Sequence, residues 1–155
     1  CDALRAGHGL DYYPGETNFR AADIVVINKV GAAAAEDIQT IRSLKDAINP
    51  SAGLVTADLD VTVEDPERLL GKRVLIVEDG PTVTHGGMGY GAGWVAAHKY
   101  GVGEVLDPRN SAVGSLLDTF NAYPQLLAVL PAMGYSQQQR QELKASIEGS
   151  GADLV

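Results

Sequence analysis

Cysteine is nearly absent from this chain: Cys1 is the single one among 155 residues, so an internal disulfide is excluded. That agrees with a reducing, cytoplasmic setting. Apolar runs all fall far short of the roughly 18 residues a membrane-spanning helix needs. No basic segment leads into an apolar stretch, as it would in a signal peptide. Positive charge is also scarce, with 12 Lys and Arg against 20 Asp and Glu and a net charge of −8. A pI near 4.7 argues against a nucleic-acid-binding surface. It leaves small anions open, because a few backbone N–H groups at a helix start can hold a phosphate. Zinc-type ligand spacing is missing, so no resident metal is read from the chain. A phosphate-binding G-x-x-x-x-G-K-[ST] run is missing too, since Gly71-Lys72 continues into Arg73 and a strand-like segment.

What is present suits a globular fold. Hydrophobic residues make up 45% and charged residues 21%, with 18 glycines, and the mean hydropathy is −0.02. These values predict one soluble domain over 1–155 with a sizeable core. The chain starts without Met and ends on Asp153-Leu154-Val155, which reads as the opening of a strand. The expectation is an internal piece of a longer protein, truncated at both ends.

Short apolar runs alternate with helical patterns along the sequence. Ile24 to Ile27 reads as a strand buried on both faces, the kind found in parallel sheets. Ala32 to Ile48 follows with Ile38, Ile41, Leu44 and Ile48 on one helical face, ended by Asn49-Pro50. Leu54 to Val63 alternates as a half-exposed strand or two short pieces, and Arg73 to Val77 is a second apolar strand. Helices are predicted over Trp94–Tyr100, Ser111–Tyr123 and from a cap at Ser136 to about Glu148, with Gln139 in the capping-box position. Strands are predicted at Gly103–Leu106, Leu126–Leu130 and from Asp153. Strand–helix alternation predicts an α/β fold: three layers, a mostly parallel sheet with helices on both faces, Rossmann-like or P-loop NTPase-like.

Three stretches carry chemistry. Cys1 to Arg20 reads as a polar loop, with a type II turn centred on Pro14-Gly15 and with Arg5, His8 and Glu16 as candidate phosphate, water-orienting and carboxylate groups. Asn28-Lys29 sits where a strand opens into a loop, the edge at which open α/β sheets bind ligands. Residues 78–93 carry five glycines from Gly86 to Gly93 between a strand and a helix, where backbone can approach an anion closely. Gly86, Gly87, Gly89, Thr82 and Thr84 are the candidate phosphate or substrate contacts there. His85, with Asp79 nearby, is the candidate general acid or base near neutral pH.

The motifs RAGH (5–8), YYPGETN (12–18), ADIVVINK (22–29), EDGPTVTHGGM (78–88) and LPAMGY (130–135) occur together and in order. In this combination the chain resembles a prokaryotic family of predicted P-loop GTPases similar to the cyclic 2,3-diphosphoglycerate synthetases. The resemblance implies a nucleotide-dependent enzyme: GTPase-like binding and hydrolysis, or an ATP-dependent synthetase. It implies GTP or ATP with Mg²⁺ as cofactor and a small phosphorylated substrate as partner; whether the chain forms a homo-oligomer is left open. The P-loop would lie upstream of Cys1, so this segment alone is expected to be inactive. Asn28 and Lys29 would recognise the base, as in the Asn-Lys-x-Asp loop of GTP-binding proteins. Gly31 stands where that loop has its guanine-reading aspartate. Losing such a charged contact costs about 1–3 kcal/mol. The choice between GTP and ATP is therefore open, with Glu36 or Asp37 as substitute carboxylates. A non-catalytic small-molecule-binding or interaction domain is the remaining reading.

Overall fold

In a computed structural model, which describes residues 1–85 and 88–155, the polar N-terminal stretch is mostly helical. A 3-10 turn at Ala3–Arg5 leads into α1 (His8–Asp11) and α2 (Gly15–Ala21). The expected loop and its type II turn are corrected here: Gly15 opens a helix and lies so close to Gly9 that a side chain would overlap the Gly9 carbonyl oxygen. Phe19 anchors α2 in the core, while Glu16 and Arg20 pair across one turn at 2.8 Å. The chain clusters into two compact units, Cys1–Asp60 and Val61–Val155.

In the first unit, β1 (Ile24–Ile27) pairs in parallel with β2 (Gly53–Thr56), Ile24 opposite Gly53 and Ile27 opposite Thr56. The helix α3 (Ala35–Ile48) makes the crossover, as parallel pairing requires. Its apolar stripe covers one sheet face: Ile27 packs with Ile41 and Ile38, and Val25 with Leu44 and Ile48. The expectation of a strand buried on both faces is corrected. Val25 and Ile27 are buried, but Ile24 and Val26 are 60% and 41% exposed. Alternate side chains point to opposite faces, and α3 covers only one of them. Asn49 does more than stop α3. Its buried side-chain amide donates to the carbonyls of Phe19, Arg20 and Ala22, meeting acceptors that the end of α2 leaves open.

In the second unit, the run from Arg73 to Asp79 supplies two strands. β3 (Arg73–Val74) and β4 (Ile76–Asp79) pair in parallel with β5 (Glu104–Val105) and β6 (Val129–Ala132), respectively. Leu154 bridges Val74, also in parallel, consistent with a strand beginning at the end of the chain. Helices α4 (Gly80–Thr84), α5 (Ala92–Lys99), α6 (Ser115–Ala122) and α7 (Gln137–Gly149) complete the unit. Leu75, Ile76, Val83, Leu116, Phe120, Val129 and Leu130 form its core.

Several boundaries move. The strand expected at Leu126–Leu130 forms at Val129–Ala132, with Pro131 opposite Glu78. The helix expected from Ser111 starts at Ser115, because Gly114 takes φ +58° and interrupts the chain after the 3-10 turn at Pro108–Asn110. The alternation from Leu54 to Val63 is a strand only to Thr56 among the described residues. The helix α4 was not foreseen. The capping box at Ser136 and Gln139 forms as expected.

Tight packing at the exits of β4 and β6 is testable. A methyl group on Gly80 would lie 2.7 Å from the Ala132 carbonyl oxygen and 2.9 Å from Met133 Sδ. Backbone cannot move aside cheaply, so Gly80→Ala is expected to lower stability by about 1–3 kcal/mol in denaturant unfolding.

Candidate functional site

The carboxyl ends of parallel strands hold most of the polar residues singled out from the sequence. In the first unit, β1 ends at Ile27 and β2 at Thr56, and backbone hydrogen bonds continue past both. Ala57 N–H donates to Ile27 O at 2.8 Å, and Val30 N–H donates to Ala57 O at 3.2 Å. These bonds hold the Asn28–Gly31 loop beside Ala57 and Asp58. Asn28 Oδ1 accepts from the Lys29 N–H at 2.9 Å, and Lys29 Nζ donates to Asp2 Oδ2 at 2.7 Å. Lys29 takes φ 64°, a left-handed conformation uncommon for a residue with a side chain.

The carboxylate next to Gly31 is Asp58, where sequence reasoning had pointed to Glu36 or Asp37. A methyl group on Gly31 would overlap Asp58 Oδ2 and sit 3.0 Å from its Cγ. Asp58 Oδ1 accepts from the Leu59 N–H at 2.9 Å. Oδ2 has no hydrogen-bond partner among the described residues. Glu36 and Asp37 lie in the first turn of α3, where negative charge complements the helix dipole. Asp58 was missed because its nearness to Gly31 follows from strand register, 27 positions along the chain. The signal available in sequence was an acidic residue just past the second strand.

The other N-terminal candidates do not converge. Glu16 pairs with Arg20, and the His8 ring meets Tyr12 at a 59° tilt with centroids 5.2 Å apart. Arg5 is the last residue of the 3-10 turn that Asp2 caps through the Leu4 N–H.

In the second unit, β4 runs straight into the cluster at 78–85. Glu78 is buried, and its Oε1 accepts from the backbone N–H groups of Gly91 at 3.1 Å and Trp94 at 3.0 Å. An anion thus already occupies the start of α5, the point where a ligand phosphate had been expected, and it belongs to the protein. Gly91 lacks a side chain because Glu78 fills that space. Gly89 is packed against the Gln125 carbonyl and accepts from the Leu127 N–H, a contact within the fold. Gly86 and Gly87 lie outside the described residues.

Asp79 caps α4, accepting from the Thr82 N–H at 3.2 Å and the Thr82 hydroxyl at 2.7 Å. Thr84 is buried, and its hydroxyl donates to Gly80 O at 2.7 Å. A hydroxyl has one proton to give. The 3.0 Å bond between Thr84 Oγ1 and His85 Nδ1 must therefore be donated by His85 Nδ1–H. That assigns the neutral ring its tautomer and leaves Nε2 as an exposed acceptor. His98 is held in a structural role, with Nδ1 donating to Trp94 O at 2.8 Å and the ring stacked on Trp94. Among the described residues, no group of three or more His, Cys, Asp or Glu is arranged to hold a metal ion. Among the described residues, no helix is long and apolar enough to cross a membrane.

Known proteins bear on this geometry through one curated relative. The chain is similar to arginine synthetase ArcE of Thermococcus kodakarensis. The two are 53% identical over 154 residues, which is 99% of this chain and 34% of the relative. The chain thus spans about a third of the relative's length. No family model matches it, and no solved structure matches it significantly.

Two measurements check the electrostatics. Glu78→Ala strips the α5 donors of their acceptor and is expected to cost about 1–3 kcal/mol in chemical unfolding. Burial works to raise the Asp2 carboxyl, but the hydrogen bond and charge of Lys29 and the Leu4 N–H outweigh it, so it lies below its ordinary 3.8. A lowered carboxyl contributes stability above its unfolded value and loses it as pH falls through the folded value. Asp2→Asn should therefore flatten the loss of stability below about pH 4 and reduce stability at pH 7, read from unfolding midpoints across pH.

Proposed function

We propose that this chain is part of a nucleotide-dependent synthetase whose product is arginine. The observation that carries the reading is the 53% identity across 99% of the chain to a protein named for that synthesis. The parallel strand pairs with polar groups at their carboxyl ends support it, because that edge is where α/β enzymes bind ligands. In this reading the strands belong to a three-layer sheet, and the exposed face of β1 is covered by the rest of the enzyme.

ATP with Mg²⁺ is the proposed cofactor: its terminal phosphoryl group would be transferred to the ureido oxygen, releasing ADP, so that the oxygen would leave as phosphate when the ammonia nitrogen bonds to the carbon. The residues present fit part of that cofactor. Asn28 and Lys29 offer an amide and a cation at a strand exit. The phosphates need a cradle that Gly71-Lys72 cannot make, since Gly71 enters a tight turn with φ 67° and Lys72 leads into β3. Asn28 and Lys29 therefore recognise the nucleotide base or ribose, while the phosphates are held by residues outside this chain. His85, with Nδ1–H held by Thr84, accepts a proton at Nε2 from the incoming nitrogen. GTP hydrolysis as the primary activity has no support in the comparison.

The intact protein containing this segment tests the proposal. Incubated with a ureido amino acid and ammonia, it is expected to form arginine with ATP, measured by amino-acid analysis. Nucleotide hydrolysis without arginine formation counts against it. His85→Ala should slow arginine formation by roughly 10²- to 10⁴-fold. Full activity in that variant would remove the proton-transfer role.

A further inference from the structure

We propose that β1 is an inner strand of its sheet, and that in the intact protein its free edge takes a parallel strand running directly into Cys1–Ala3. The hydrogen bonds around β1 divide by alternate residues, as a parallel ladder requires. Gly53 N–H donates to Asp23 O and Ala57 N–H to Ile27 O, both at 2.8 Å, so the odd-numbered residues face β2. Val26 and Asn28 face the other way. Asn28 N–H donates to Cys1 O at 2.9 Å, Asn28 O accepts from the Ala3 N–H at 3.0 Å, and Val26 O accepts from the Cys1 nitrogen at 2.7 Å. Asp2 therefore stands opposite Asn28 in a parallel bridge. Ala3 is buried in the same cluster as Ile27 and Ile41, so this short ladder belongs to the core of the unit.

The ladder stops part-way along β1. Val26 N–H and the Ile24 carbonyl point to the same edge and have no partner among the described residues. An unpaired edge on so apolar a strand invites wrong pairing, and folds remove the hazard by filling it. The register of Asp2 on Asn28 fixes how it is filled. The residue before Cys1 stands opposite Val26, and the second residue before Cys1 accepts from Val26 N–H and donates to the Ile24 carbonyl. A strand continuous with Cys1 reaches both groups without changing direction. A helix, an antiparallel strand or a second copy would first have to displace that path. The chain spans 34% of its relative's length, which leaves ample sequence for such a strand. Asp2 and Asn28 then follow neighbouring strands at one carboxyl edge, where open α/β sheets bind ligands, and the Lys29–Asp2 pair ties the two exits together. None of this depends on the synthetase reading.

Amide hydrogen exchange on the intact protein tests it. Val26 N–H should exchange roughly 10³-fold or more slowly than an unstructured amide, in step with Val25 and Ile27. Cys1→Pro removes a ladder donor and should speed exchange at Val26 about tenfold or more, while amides in β4 keep their rates. Cys1→Ser keeps the donor and should leave Val26 unchanged. Fast exchange at Val26 in the unaltered protein overturns the proposal. Slow exchange that Cys1→Pro leaves untouched, or that is lost on dilution, also overturns it, because the cover is then something else or a second copy. A crystal structure of the intact protein reads the register without any variant. A bond from Val26 N–H to the carbonyl of the second residue before Cys1 is expected, and any other neighbour on that edge sinks the idea. Arginine formation by the same protein bears on the synthetase reading alone.

Discussion

Parallel pairing of β1 with β2 is the constraint on which the first unit depends. Parallel strands cannot be joined by a tight turn, so α3 must cross over between them, and its apolar stripe buries Val25 and Ile27. The same pairing brings both strand exits to one edge. Two backbone hydrogen bonds beyond the strands extend the register to Ala57. Asp58 meets the Asn28–Gly31 loop there because of that register, 27 positions from Gly31 in sequence. A slip of one position would turn Val25 and Ile27 away from α3.

The second unit solves a similar problem with charge. β4 ends in Glu78 and Asp79, and each carboxylate is turned onto a helix start: Glu78 onto α5 and Asp79 onto α4. The N–H groups at a helix start need acceptors, and an anion is favoured there by the dipole. Glu78 also fills the space that a side chain on Gly91 would need, and at Gly89 the Gln125 carbonyl does the same. Thr84 is buried beside an exposed His85. The buried hydroxyl is committed to Gly80 O, so the imidazole is held in one tautomer at the surface. Gly89 and Gly91 are packed within the fold, and His85 Nε2 is left as an exposed acceptor.

Most of the element order was legible from periodicity and punctuation. The α3 stripe at Ile38, Ile41, Leu44 and Ile48, the Asn49-Pro50 stop and the Ser136–Gln139 capping box are local signals, and the structure follows them. The N-terminal loop was misread because its composition is polar. Phe19 nonetheless anchors a helix, and the amide of Asn49, thirty positions away, satisfies the end of it. The strand at 129–132 was displaced in the reading because apolar character peaks before Pro131, whereas pairing with Ile76 to Asp79 decides where the ladder runs.

By itself the sequence determined the α/β alternation, the absence of an internal disulfide, and the residue types available for chemistry. These follow from local periodicity and composition, which neighbours in the chain settle among themselves. The tertiary structure alone decided which carboxylate belongs with which loop. Asp58 came to Gly31, Glu78 went to α5, and Glu16 went to Arg20. Contacts of that kind depend on strand register and helix placement, and residues far apart in the chain become neighbours only after the backbone hydrogen bonds have been made.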